Sequence, residues 1–339
     1  MSAADPPRRA ALNAAKLGAL VREGWGAEAR SGHVFPGGAA LLGEDGTGWV
    51  LLDTGSERNL GGALTWARKV GAASLHVVVD DDAAAAVLAR RATHLARPAT
   101  RAWSVDGQAL RPAEPAPIPR PLPPPEAPRL RALLAEVGLE VVEEDGIVVG
   151  ELRGLEVARI EHDPDAEGGA RLAVGVGRFD REVTAMLHGD LSTQDQLRRA
   201  VDIVGRYRRP GAAPHPMNQL VPERWMRAVL VGHPEVVGAS DLRPVVSAVP
   251  RTNLRERLPA TALGTAADTG EPLVVVCSLG VDVELVPTAA DDRGFHAPDA
   301  RLVLAVAARD VVPLTTALAD QLVRPAQVVA VDGDWRTLP

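Results

Sequence analysis

The stretch LHVVVDDDAAAAVLARRATHLARPATRAWSVDGQ, from Leu75 to Gln108, decides how this chain is read. Leu75–Val79 is an apolar run of the length expected for a buried strand. Ala83–Ala96 is rich in alanine and leucine and reads as a helix. Arg101–Val105 is again strand-like, and Asp106-Gly107 supplies turn chemistry. With the elements before it, the order is strand, helix, strand, helix, strand. That alternation favours an α/β layer over an all-helical or all-strand domain.

A second stretch, LVLAVAARDVVPLTTALADQLVRPAQVVAVDGDW from Leu302 to Trp335, can be laid over the first with one residue gained or lost. Each has an apolar strand, an acidic junction, a helix closing on leucine, and then Arg-Pro-Ala. Arg97-Pro98-Ala99 matches Arg324-Pro325-Ala326, and Asp106-Gly107 matches Asp332-Gly333. Self-similarity of this kind identifies architecture before any motif does. The shared anchors argue for duplication; the alternative is convergence of two units under compositional bias. The expected fold class is α/β. It comprises a duplicated strand-helix-strand unit in the N- and C-terminal regions and a central α+β module.

Between the copies, RPAEPAPIPRPLPPPEAP from Arg111 to Pro128 has nine prolines in eighteen residues. Proline withholds a donor and restricts its predecessor, so this run reads as a semi-extended linker. Four parts are expected: an N-terminal α/β module over 1–110, the linker over 111–128, a central α+β module over 129–230, and a C-terminal α/β module over 231–339. Helices are predicted over 10–22 and 60–70, with strands at 39–42 and 49–52. The central module is predicted to run from a helix at 129–137 through strands at 139–143, 147–152, 155–160 and 171–176. A helix over 192–207 follows, capped by Ser192 with Asp195 at its third position. Farther on, strands are predicted at 273–277, 282–286, 302–307 and 327–331. Pro313 opens a helix over 313–322, where its missing donor is harmless.

Composition narrows the function classes. Apolar residues make up 46% and charged residues 24%, ordinary for a globular chain. The net charge of -7 argues against wholesale wrapping of nucleic acid, although a local basic face can still form. Lys16 and Lys69 are the only lysines among 37 basic residues, so a mechanism that needs lysine has two candidates. Cys277 is the sole cysteine, which excludes an intrachain disulfide or a multi-cysteine metal site. No apolar stretch reaches the roughly 18–20 residues of a membrane span. The N-terminal residues lack the pattern of a signal peptide. Cytoplasmic residence without a membrane partner is expected.

Chemistry-bearing patterns are sparse. Glycine-rich phosphate loops and the nucleophile elbow are missing. Glu156 and Arg159, three apart in a strand, are expected on opposite faces. Asp180 and Glu182 share a face if the strand before them continues. The helix, hairpin and acidic strands over roughly residues 129–210 are similar in outline to metal-dependent nucleases. That resemblance implies catalytic roles for Glu156, Asp180 and Glu182, with Glu156 and Asp180 on a divalent cation. The lysine that often completes such sites has no counterpart here. Without that reading no cofactor is expected, and the acids are structural. Asp282 and Glu284 alternate along a predicted strand and are expected on its solvated face; the alternative is a cation held with Asp291 or Asp292.

The basic helix supplies Arg198, Arg199, Arg206, Arg208 and Arg209 around a single acid, Asp202. These guanidiniums are expected either as a solvated face or as contacts to phosphates. The stretch after it, HPMNQLVPERWMR from His215 to Arg227, reads as a joint with Trp225 in a core. His215, Asn218 and Arg224 are expected as an exposed trio completing an anion-binding surface. Three functions follow. The first is an interaction or scaffold protein with a protein partner or self-association. The second is a divergent metal-dependent nucleic-acid enzyme. The third is a small-molecule enzyme with an interdomain pocket.

Overall fold

Leu75, Val77, Val78 and Val79 are all buried, the pattern of a strand covered on both faces. They belong to β4 (Ser74–Val79). The computed structural model describes residues 6–53, 56–107, 109–120, 122–177, 181 and 192–338 of a mixed α/β chain. Two compact units are present. The first comprises Met1–Ile118, Asp282–Asp291 and Val312–Gln327; the second comprises Pro119–Val281, Asp292–Val311 and Val328–Pro339. None of the described helices is long and apolar enough to cross a membrane.

In the first unit, α1 (Pro6–Trp25) precedes a six-stranded sheet. The strands β1 (Ala29–Phe35), β2 (Gly38–Gly43) and β3 (Thr47–Leu52) form an antiparallel meander. The sheet then turns parallel through β3, β4 and β5 (Ala99–Asp106) and ends on antiparallel β6 (Ala109–Pro112). The parallel strands are joined by α2 (Leu60–Val70) and α3 (Asp82–Ala92), the connection that parallel pairing demands. Leu17, Leu20 and Val21 of α1 pack on Leu41, Trp49, Leu51 and Val78. The Asp81 side chain accepts from Ala84 N at 2.6 Å and caps α3.

The predicted strand at 282–286 is instead a turn leading into α7 (Leu285–His296). Asp282 Oδ1 accepts from Glu284 N at 2.9 Å, a local bond that competes with extended pairing. Glu284 Oε1 in turn accepts from Gly61 N and Gly62 N, at 2.5 and 3.2 Å, at the start of α2. Asp282 and Glu284 therefore share no strand face. Asp291 takes Arg90 Nε and Nη2 at 3.1 Å and Arg91 Nε at 2.8 Å. Leu95 and Leu322 form an antiparallel bridge beyond α8 (Pro313–Ala319), which begins at Pro313 as predicted.

The second unit holds two sheets. The first is antiparallel throughout, in the order β10 (Ala170–Val174), β9 (Leu155–His162), β8 (Ile147–Leu152), β7 (Glu140–Glu144). Its helices are α4 (Pro128–Glu136) and α5 (Thr193–Gly205), the latter capped by Ser192 Oγ accepting from Asp195 N at 3.2 Å. Leu134, Val148, Leu155, Val157, Ile160 and Leu197 share one core. Burying each such side chain contributes about 1.5–3 kcal/mol. The tight turn between β8 and β9 uses Arg153 and Gly154, both at positive φ. A Cβ on Gly154 would lie 2.3 Å from the Arg224 backbone, so glycine permits that close approach.

The other sheet runs β11 (Ala239–Val245), β12 (Ala260–Ala266), β13 (Pro272–Ser278), β14 (Arg301–Ala307), β15 (Gln327–Val331). Its first three strands are antiparallel, and β13 and β14 are parallel. Across β11, β12 and β13 lies α6 (Pro222–Gly232), burying Trp225, Met226, Val229 and Leu230. β1, β11 and β12 carry too much glycine, alanine and charge to stand out as strands by periodicity. Residues 111 and 112 of the proline-rich run belong to β6, while 113–120 form neither helix nor strand.

Candidate anion-binding site

β7 and β8 meet at Asp145-Gly146, again both at positive φ, which sets Glu144 and Asp145 at one end of the hairpin. Beside them a bulge in β9 alters side-chain direction. Gly150 pairs with Ala158 and Glu151 with Glu156, so Val157 is an extra residue. The extra residue reverses the alternation and puts Glu156 and Arg159 on the same side. Their expected opposition is thereby corrected. Arg159 Nε and Nη2 reach the two Glu156 oxygens at 2.7 and 2.8 Å. Arg181 Nη1 adds a third bond to Glu156, at 2.7 Å.

Behind these residues stands a buried charge network. Glu151 is fully buried and accepts from Arg224 Nη1 at 2.9 Å and from Arg227 Nη2. Burial pushes the Glu151 carboxyl up, but Arg227 and Arg224 outweigh it and hold the group below its ordinary range. Arg224 also binds Glu144. Glu140, opposite Glu151 in the β7–β8 register, is pushed up to about 7 by burial and by the Glu151 charge.

In front of this network lies an open cavity of about 870 Å³. Its lining includes Glu144, Asp145 and Glu156 against Arg159, Arg181, Arg224, Arg251 and Arg255. Five guanidiniums thus face three carboxylates. The Asp145 carboxyl is raised by burial, with Arg224 opposing the shift. Arg251 donates to the main-chain oxygens of Glu256 and Leu258, the latter at 2.7 Å, so neither bond brings a neutralising charge. Burial first and Arg224 second push Arg251 down to about 10. Thr252 and Asn253, between the two arginines, complete the polar rim.

The expected site residues scatter. Glu156 and Arg224 line this cavity together, whereas Asp180 and Glu182 lie outside the described residues. Arg198, Arg199, Arg206 and Arg209 are exposed on or just beyond α5 and do not line the cavity. Arg208, expected on that basic face, is 1% exposed because Trp225 and the main chain at Met217 and Leu220 enclose it. The exposed trio is corrected likewise. Asn218 is buried and donates to Ala213 O at 3.3 Å. Arg224 is buried by its carboxylate partners, and His215 stacks half-buried on Tyr207 at 3.6 Å. Among the described residues, no group of three or more His, Cys, Asp or Glu side chains is arranged to hold a metal ion. Arg181, Arg251 and Arg255 were not anticipated. For Arg251 and Arg255 the run RTNLRER from Arg251 to Arg257 was the available signal.

Comparison with protein-family models, curated proteins and solved structures gave no significant match for this chain.

Proposed function

We propose that this chain is a binding protein whose second unit takes up a small, multiply charged oxyanion. The observation carrying this reading is the excess of arginine over carboxylate around a ligand-sized cavity. Guanidinium matches carboxylate and phosphate through paired N–H donors. An anion meeting Arg251, beside exposed Arg255, gains from a partly desolvated setting, where Coulomb attraction is stronger than in water. Glu156 is already held by two guanidiniums, which favours a wall charge over an open metal ligand. Thermal unfolding with citrate tests the reading, because a ligand selective for the native state raises Tm by mass action. The expected rise disappears in Arg251→Gln and shrinks with added salt. An unchanged Tm at millimolar probe and low salt contradicts it.

A recognition role also accords with the interaction or scaffold function expected from sequence, and duplication of the outer α/β regions is part of this reading. Three features support duplication. Each outer sheet starts with three antiparallel strands after a helix. Each then turns parallel at the third strand. Leu95 and Leu322, corresponding positions before the two Arg-Pro-Ala anchors, pair with each other. Nucleic acid is the second reading, supported by exposed Arg198, Arg199, Arg206 and Arg209. It requires salt-dependent binding of short oligonucleotides that weakens when these four are replaced.

A further inference from the structure

A second concavity in the second unit, of about 440 Å³, is lined by residues 307–309 at the end of β14 and 333–336 after β15. Trp335 is buried in its floor, and the Arg336 guanidinium lies 4.4 Å from that ring. The same guanidinium is 5.4 Å from Trp225, on which Arg208 stacks at 4.8 Å. Indole faces attract cations through their quadrupole, but they offer no acceptor to the in-plane N–H groups. Arg336 Nε and Arg208 Nε and Nη2 are buried with no acceptor among the described residues. Buried donors without acceptors are costly.

Charge sharpens the case. Burial pushes Arg208 down to about 9; Glu151 opposes this, and Arg336 adds to it. Arg336 is lowered by burial, with Asp334 opposing and Arg309 and Arg257 reinforcing. The Arg336 guanidinium therefore disfavours the charge on Arg208. Arg309 is 77% exposed at the rim, 3.8 Å from Asp310, beyond hydrogen-bond reach. The Asp310 carboxylate is itself engaged by Gly280 N at 2.7 Å.

We infer that this concavity is a second anion site, which takes a phosphate group on the edge of Arg336 with Arg309 closing over it. The indoles fix the plane of Arg336 and leave its donors directed sideways. The buried charge of Arg208 adds attraction without direct contact. Phosphate suits the site better than a monocarboxylate, because it offers oxygens to two separate arginines and up to two charges.

The test is titration of the intact Arg251→Gln chain with inorganic phosphate at constant ionic strength, read by calorimetry and tryptophan fluorescence. Using Arg251→Gln removes the key guanidinium of the first cavity, so failure here is distinguishable from failure there. Saturable binding is expected. Adding Arg336→Gln weakens it by about tenfold or more, as loss of a charge-assisted bond implies. Adding Arg309→Gln, whose exposed side chain carries little of the fold, weakens it by about twofold to fivefold. Near-ultraviolet circular dichroism checks that Arg336→Gln keeps its native packing. Absence of phosphate binding to Arg251→Gln overturns the inference. So does binding that neither Arg336→Gln nor Arg309→Gln weakens.

Discussion

Glu156 and Arg159 stand three residues apart on β9 and still meet, at 2.7 and 2.8 Å, because Val157 is an extra residue in the strand. With Arg181 on the same carboxylate, Glu156 screens two of the five arginines that line the cavity. Replacing it uncovers positive charge without removing a donor. Glu156→Gln is expected to strengthen citrate binding by several-fold to about tenfold at low salt. Calorimetric titration measures this, and a weakened affinity contradicts the assigned role.

Arg224 and Arg227 hold the fully buried Glu151. Removing one partner of a buried ion pair leaves an uncompensated charge and costs about 3–5 kcal/mol. Arg224→Ala should therefore lower stability by that order in urea unfolding. Arg198→Ala, on an exposed face, should stay within about 0.5 kcal/mol of the parent.

Glu140 gives the second unit a pH dependence. Its carboxyl sits at about 7 in the folded chain, against about 4.3 when unfolded. The folded state binds the proton more tightly, so this contribution is fully present below the unfolded value. It is lost as pH rises through about 7. Glu140→Gln should flatten the fall in stability between those values. Glu284, also pushed to about 7 by burial, adds a fall of the same sign in the first unit. Glu151 acts oppositely: its lowered carboxyl contributes above the unfolded range and is lost in acid.

Cys277 is fully buried in β13, and burial pushes its thiol up to about 12. The thiolate is the reactive form. Native protein should be inert to Ellman's reagent over the time in which urea-unfolded protein reacts fully. Prompt reaction of the native chain would show that β13 opens.

Much of the α/β pattern was legible, because strongly apolar runs such as Leu75–Val79 and Leu302–Ala307 carry their own signal. So were the turns at Asp145-Gly146 and Arg153-Gly154. The turn and helix from Asp282 onward were not, because VDVELVP alternates like a strand while Asp282 locally bonds the backbone. The site was harder to read. Glu156 and Arg224 stand out in the sequence in other roles, as a metal-binding acid and an exposed anion contact, and both line the cavity; their geometry depends on a bulge and on a buried carboxylate at Glu151, neither encoded by spacing. Arg251 and Arg255 come from a loop distant in sequence from β9, and only tertiary folding joins them.

The most direct measurement is calorimetric titration of the intact chain with citrate at low ionic strength, repeated with Arg251→Gln. Saturable binding to the parent chain, lost in Arg251→Gln and weakened by salt, is the predicted result. Absence of binding to the parent, or equal binding to both chains, would contradict the assignment of the arginine-lined cavity as the anion site.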